Sequence, residues 1–179
     1  MEVRRLHWGC GRTPAPGWIN SDRNPRSGVD LVCDIREGLP LPGDSVDYAF
    51  SMHALQEIPY ADLVSALSEL RRVLKPSGVL RLVLPDLDKG IEAYRKGDVG
   101  YFQIPDSDER TLGGKFVAHM LWYGHSRVLF TADFVQDLLV RAGFSRVVQC
   151  EYRQTSSGIP DLVQLDGRAA ESLFVEAVK

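Results

Sequence analysis

The stretch LHWGCGRTPAPGWINSD (Leu6–Asp22) places two strands on either side of a glycine turn and leaves no room for a helix between them. Its first residues predict a strand that runs into a Gly-Cys-Gly turn. In a parallel sheet such a strand is usually joined to the next by a helix. Here only six residues separate Gly11 from Trp18, and two of them are prolines, which disrupt helices. The stretch therefore predicts a short extended connection in place of the helix.

The composition predicts one ordinary globular domain over residues 1–179, with 44% hydrophobic residues, 25% charged residues and a net charge of −3. The lack of a basic stripe argues against a nucleic-acid partner. No apolar run approaches the roughly 18 residues of a membrane span, and the start MEVRR does not resemble a signal peptide. Cys10, Cys33 and Cys150 are scattered, which argues against a metal site or disulfide framework and favours the cytoplasm.

The rest of the chain alternates strands and helices. Strands are expected at 3–8, 18–21, 30–33, 45–51, 79–84, 146–152 and 172–178. Helices are expected at 60–74 and 132–142, with shorter ones at 88–96 and 115–123. This alternation predicts a three-layer α/β fold with a mostly parallel sheet. Because no helix is readable between the last two strands, they are expected to form an antiparallel hairpin at the sheet edge.

Several motifs follow one another in a recognisable order. They are LHWGCG (6–11), INSD (19–22), CDI (33–35), SVDYAFSMHALQEI (45–58), LSELRRVLKPSGVLRLVLPD (67–86), FTADFVQDLLVRAGF (130–144) and ESLFVEAVK (171–179). Together they resemble the class I methyltransferases that use S-adenosylmethionine, in the small type 11-like group. The resemblance covers nearly the whole chain, least convincingly residues 97–128. It implies a Rossmann-like methyltransferase fold that lacks the first crossover helix.

The same resemblance implies S-adenosyl-L-methionine as the cofactor. The implied binding residues are Gly9, Cys10, Gly11, Asp22, Asp34, Ile35, Ser51 and Met52. Glycines let backbone amides approach a carboxylate, and an acid that ends the second strand can accept hydrogen bonds from ribose hydroxyls. Asp34 would accept from the adenine amino group. The alternatives are plain turn glycines, aspartates that cap helices or lie in solvated loops, and a Cys10 that only packs.

His53 and Asp86 are the predicted catalytic residues. They follow the fourth and fifth strands, which are neighbours in the implied fold. A histidine has a suitable reference pKa to accept a hydroxyl proton, and Asp86 would orient it. The alternative is that His53 packs beside the cofactor and Asp86 caps the following helix. His119 and His125 are rival bases.

The predicted reaction is O-methylation of a hydroxyl on a small or saccharide-like acceptor. One alternative is a non-catalytic protein with the same fold. A nicotinamide or flavin oxidoreductase is less favoured, because Ala15 and Pro16 stand where the dinucleotide fingerprint needs a helix.

Residues 86–128 are predicted to form a lid over the substrate. Seven aromatic and histidine side chains are candidates for its inner wall: Tyr94, Tyr101, Phe102, His119, Trp122, Tyr123 and His125. The cover lost with the crossover helix is expected from this lid or from a second subunit. The sequence therefore also predicts a homodimer.

Overall fold

In the computed structural model, which describes residues 3–179, seven strands form one mixed sheet. The strands are β1 (Arg5–Trp8), β2 (Ile19–Asp22), β3 (Leu31–Val32), β4 (Val46–Met52), β5 (Leu74–Pro85), β6 (Arg146–Cys150) and β7 (Ser172–Val178). Their order in the sheet is β3-β2-β1-β4-β5-β7-β6. The first five strands are parallel, and β7 is antiparallel to both β5 and β6. The predicted three-layer fold with an antiparallel edge pair is confirmed.

Five α-helices accompany the sheet in the described residues. They are α1 (Leu63–Val73), α2 (Leu87–Lys96), α3 (Leu112–Leu121), α4 (Ala132–Arg141) and α5 (Pro160–Gln164). Within residues 3–179, no helix is long and apolar enough to cross a membrane. Helices α1 and α4 pack side by side on one sheet face. The α1 residues Leu63, Leu67 and Leu70 recur at helical spacing and are fully buried there, as an amphipathic helix requires.

The connection from β1 to β2 contains no helix, as predicted, and Asn20 holds it in place. The buried Asn20 amide accepts a hydrogen bond from the Ala15 N–H at 2.7 Å. Its nitrogen donates to the carbonyl oxygens of Ala15 and Trp18 at 3.1 and 3.0 Å. A buried backbone without secondary structure needs such partners. One asparagine therefore supplies hydrogen bonds that a helix would make internally.

The β6–β7 connection, residues 151–171, corrects the expectation that no helix lies between the last two strands. It contains the short helix α5, which is too brief to show an apolar period in the sequence. Leu162 of α5 is fully buried beside Tyr48 and Phe50 on the sheet face opposite α1. The Tyr48 hydroxyl donates to Asp161 at 2.6 Å. The β6–β7 connection therefore covers the sheet face opposite α1.

A buried ion cluster ties the β6–β7 connection to the sheet. Arg81 of β5 donates to both carboxylate oxygens of Asp166, at 2.8 and 2.6 Å, and to Glu176 of β7 at 3.0 Å. All three side chains are at most 1% exposed. The second oxygen of Glu176 accepts from the backbone N–H groups of Ser156 and Ser157. The guanidinium thereby links β5 and β7 to the β6–β7 connection.

Candidate functional site

Two cavities open near the carboxyl ends of the parallel strands, where open α/β sheets bind their ligands. The larger cavity has a volume of about 460 Å³ and is lined by the turns that follow β1, β2, β3 and β4. The smaller cavity has a volume of about 190 Å³ and lies among β4, β5, α3 and the β6–β7 connection. His53, Glu57 and Arg168 line both cavities. The two spaces therefore adjoin at these three residues.

Seven of the eight predicted cofactor residues line the larger cavity: Gly9, Cys10, Gly11, Asp22, Asp34, Ile35 and Met52. Ser51 does not line it. Its side chain is buried, and its hydroxyl has no hydrogen-bond partner within residues 3–179. Its place in the structure is beneath the glycine turn, since a Cβ on Gly9 would lie 3.9 Å from the Ser51 hydroxyl.

Position 9 requires a glycine because two loops approach each other closely there. Its backbone is left-handed, with φ of +66°, and an added Cβ would lie 2.3 Å from the Cβ of Ala54. Real Cβ atoms do not come so close to one another. The turn after β1 therefore sits directly against the chain that leaves β4, and both face the larger cavity. Gly11 is also left-handed, but it faces open space.

Asp22 fixes the glycine turn while it faces the cavity. One carboxylate oxygen accepts the Gly11 N–H at 2.9 Å, and the other accepts the Asn24 N–H at 2.8 Å. Each carboxylate oxygen has a second lone pair. The side chain is therefore held rigidly and keeps acceptor capacity for two further hydroxyl groups.

Asp34 has a structural role beside its place in the cavity wall. Arg36 binds the Asp34 carboxylate through its side chain, at 2.5 Å for the shortest contact, and this interaction lowers the pKa of Asp34. Asp34 also accepts the Arg36 N–H and caps a short 3₁₀ helix.

Burial raises the pKa of the Cys10 thiol, which disfavours a nucleophilic thiolate.

His53 stands between the two cavities on a left-handed backbone with φ of +50°. Its Nε2 lies 2.8 Å from the Ser172 hydroxyl. Burial, with a smaller contribution from Arg168, lowers the pKa of His53 to about 4. The ring is therefore neutral near pH 7. Ser172 orients it, and the described structure contains no hydrogen bond from His53 to Asp86.

Asp86 caps α2 and also faces the smaller cavity. Its Oδ1 accepts the N–H groups of Asp88 and Lys89, at 3.0 and 3.2 Å. The residue is 9% exposed, and it lines the smaller cavity. Its Oδ2 has no hydrogen bond to any residue that the structure describes. Capping therefore occupies Oδ1 and leaves Oδ2 available to a ligand.

Sequence reasoning missed the residues that precede β7. Glu171 accepts from His119 at 3.2 Å and from Arg168 at 2.9 Å. These bonds, that of His119 above all, lower the pKa of Glu171 to about 2. An antiparallel strand begins at the edge where parallel strands end. The predicted antiparallel hairpin therefore implied that Arg168 and Glu171, which precede β7, lie near the site.

His7 was missed as well. It lines the larger cavity from β1, and its Nδ1 is buried without a hydrogen-bond partner in the described part of the chain. Burial lowers the pKa of His7 to about 4.

Three of the seven aromatic and histidine residues proposed for the lid line the smaller cavity: Tyr101, His119 and Trp122. Phe102 is buried beside them, with its ring 5.7 Å from that of His119. Tyr94, Tyr123 and His125 are exposed and line neither cavity.

Two sequence comparisons match parts of this chain to methyltransferases. The model of a family described as "Methyltransferase domain" matches residues 13–82. The curated protein "Probable methyltransferase ltbC" from Aspergillus luteorubrus is 46% identical over 48 residues, which is 26% of this chain and 17% of that protein. The match thus spans less than a fifth of that relative.

Solved structures resemble the whole chain. One is a Thermotoga maritima protein described as an S-adenosylmethionine-dependent methyltransferase and possible histamine N-methyltransferase. It superposes with a TM-score of 0.62 at 21% identity, over 100% of this chain and 83% of that one. An S-adenosylmethionine-dependent methyltransferase from Archaeoglobus fulgidus has a TM-score of 0.63 at 14% identity, over 99% and 86% of the two chains. The chain has the class I methyltransferase fold. Residues 13–82 also match the family model described as "Methyltransferase domain".

S-adenosyl-L-methionine is the cofactor that this fold implies, and the larger cavity fits it. Its volume is within the range of small-molecule sites. Gly9 and Gly11 expose backbone, Asp22 retains acceptor capacity, and Ile35 and Ile58 add apolar wall. These partners suit a molecule with an amino-acid end, a ribose and an adenine.

Proposed function

We propose that the protein transfers a methyl group from S-adenosylmethionine to a hydroxyl of a small or saccharide-like acceptor. The observation that carries this proposal is the pair of adjoining cavities with His53 in their common wall. The larger one contains seven of the predicted cofactor residues. The smaller one has room for a small acceptor or for one end of a larger one.

In this proposal the protein positions the reactants and accepts a proton. The bound cofactor supplies the activated methyl group. Asp22 and the glycine turn hold the cofactor, and residues 86–128 form a lid that excludes water from the smaller cavity. When Nε2 of His53 donates to Ser172, Nδ1 carries the lone pair and accepts the proton of the acceptor hydroxyl.

Calorimetry with S-adenosylmethionine, S-adenosylhomocysteine and NAD tests the proposal against its alternatives. We expect the first two to bind and NAD not to bind. Binding of NAD alone would support an oxidoreductase. A folded protein that binds none of the three would support a non-catalytic member of the fold.

Asp22→Ala is expected to weaken S-adenosylhomocysteine binding by about tenfold or more. Hydrogen bonds to a charged group contribute about 1.5–3 kcal/mol, and 1.4 kcal/mol corresponds to a factor of ten. Calorimetry measures the change. Asp137→Ala removes an exposed carboxylate from α4 and serves as the matched control. An unchanged dissociation constant for a folded Asp22→Ala protein contradicts the role of Asp22.

We also propose a homodimer and a cytoplasmic location. The three free cysteines support the second proposal. A second subunit would supply the cover that the site loses with the crossover helix. Light scattering at tens of micromolar protein is expected to give twice the monomer mass, and a monomer mass with and without S-adenosylhomocysteine refutes the dimer.

A further inference from the structure

We propose that the smaller cavity selects acceptors that carry a positively charged amino group, with Asp86 as its counter-ion. This inference rests on the proposed function and specifies the acceptor of that reaction. The hydroxyl to be methylated and the amino group would then belong to one small molecule, such as an amino alcohol or an amino sugar.

Three carboxylates line the smaller cavity: Glu57, Asp86 and Glu171. Two of them are neutralised by neighbouring cations. Glu57 pairs with Arg23 at 3.3 Å, and Glu171 pairs with Arg168 at 2.9 Å. No Lys, Arg or His nitrogen of residues 3–179 forms a salt bridge with Asp86. Asp86 therefore contributes one negative charge that the described part of the protein does not pair.

Lys89 is the basic residue closest to Asp86 along the chain, and its ammonium is engaged elsewhere. It donates to the carbonyl oxygens of Ser172 at 2.6 Å and Ala169 at 3.2 Å. These bonds help to hold the start of β7 against α2. The Lys89 ammonium is thus bound to backbone carbonyl oxygens, and it forms no salt bridge with Asp86, which lines the cavity.

Aromatic side chains beside Asp86 favour the same type of ligand. Tyr101 and Trp122 line the cavity, and the guanidinium of Arg168 lies 6.0 Å from the centre of the Trp122 ring. Aromatic faces attract cations. Burial, together with the charges of Asp86 and Glu171, raises the pKa of Tyr101 to about 12. The phenol is therefore neutral and does not compete with Asp86 as an anion.

Strained backbone also occurs in the wall of this cavity. Of its lining residues, His53, Trp122 and Arg168 have left-handed backbones, with φ of +50°, +44° and +53°. They come from three separate segments: the exit of β4, the end of α3 and the β6–β7 connection. Strained non-glycine residues cluster at ligand sites, where the surrounding structure enforces them. The wall thus has the features of a site arranged for a ligand.

The charge balance distinguishes three classes of acceptor. An ammonium pairs with a buried carboxylate through a charge-assisted hydrogen bond, which is roughly twice as strong as a neutral one. A neutral polyol offers only ordinary hydroxyl donors. A carboxylate-bearing acceptor is repelled by Asp86. The geometry therefore favours the cation over compounds of similar size.

Three small compounds of similar size test this order: 2-aminoethanol, ethylene glycol and glycolate. Their binding to the protein saturated with S-adenosylhomocysteine is measured by saturation-transfer NMR near neutral pH. We expect 2-aminoethanol to bind about tenfold or more tightly than either other probe, as one charge-assisted hydrogen bond predicts. Asp86→Asn keeps a good helix-capping residue but removes the charge. It is expected to abolish this preference.

Asp88→Asn is the matched control, because it removes an exposed charge from the same helix. It is expected to retain the preference. Equal binding of the three probes, no detectable binding of 2-aminoethanol, or a preference that survives Asp86→Asn would each overturn the inference. Binding of S-adenosylhomocysteine is measured first. Its absence counts against the proposed function, whereas its presence without amine preference counts against this inference alone.

Discussion

His53→Gln is expected to lower turnover by roughly 10²–10⁴-fold, the usual range for loss of a general base. Glutamine retains hydrogen-bonding groups to meet Ser172 but cannot accept a proton at neutral pH. S-adenosylhomocysteine binding should change little, because His53 is at the junction of the cavities and not among the predicted cofactor residues. The measurement is methyl transfer in single-turnover assays once an acceptor is known.

The pH dependence provides an independent readout of His53. Burial lowers its pKa to about 4, so the neutral, proton-accepting form persists well below the usual histidine pKa of about 6.5. The rate should therefore stay level as pH falls through 6.5 and decline only as pH approaches about 4. His125→Gln removes an exposed histidine and serves as control. Full activity of His53→Gln, or a decline centred near pH 6.5, contradicts this role.

Arg81→Met is expected to reduce the free energy of unfolding by about 3–5 kcal/mol, the usual cost of removing one partner from a buried ion pair. Two carboxylates, Asp166 and Glu176, would remain buried without their cation. Urea denaturation followed by circular dichroism measures the change. Arg141→Met, which removes an exposed arginine that pairs with Asp137, should change the unfolding free energy by less than about 1 kcal/mol.

A compensated variant separates lost charge balance from lost packing. Arg81→Met combined with Asp166→Leu and Glu176→Leu removes all three charges, and apolar replacement of a buried ion cluster is often neutral or stabilising. Recovery of stability supports the electrostatic explanation. A triple variant as unstable as Arg81→Met alone would contradict the electrostatic explanation.

Most strands and helices could be predicted from the sequence because they depend on local patterns. Leu63, Leu67 and Leu70 recur at helical spacing, and Pro14 and Pro16 exclude a helix after the glycine turn. The start of β5 was placed too late. The strand begins at Leu74, and its pairing with β4 shifts register across the turn residues 76–78 that seemed to precede it.

The remaining features depend on contacts between distant residues. Arg81 lies in an apolar run, and its partners Asp166 and Glu176 follow 85 and 95 positions later. No sequence pattern near Arg81 predicts these two partners. The orientation of His53 also depends on a distant residue, because its partner Ser172 is 119 positions away in the sequence. The candidate cofactor residues could be proposed from the sequence because they belong to short motifs at the ends of strands.

The position of β7 has a consequence for synthesis of the chain. This strand lies between β5 and β6, yet it is made after both. Until Ser172–Val178 leave the ribosome, β5 has one unpaired edge and β6 has no partner in the sheet. Open edges of apolar strands invite intermolecular pairing. The nascent chain is therefore most exposed to intermolecular strand pairing in the interval between the synthesis of β5 and that of β7.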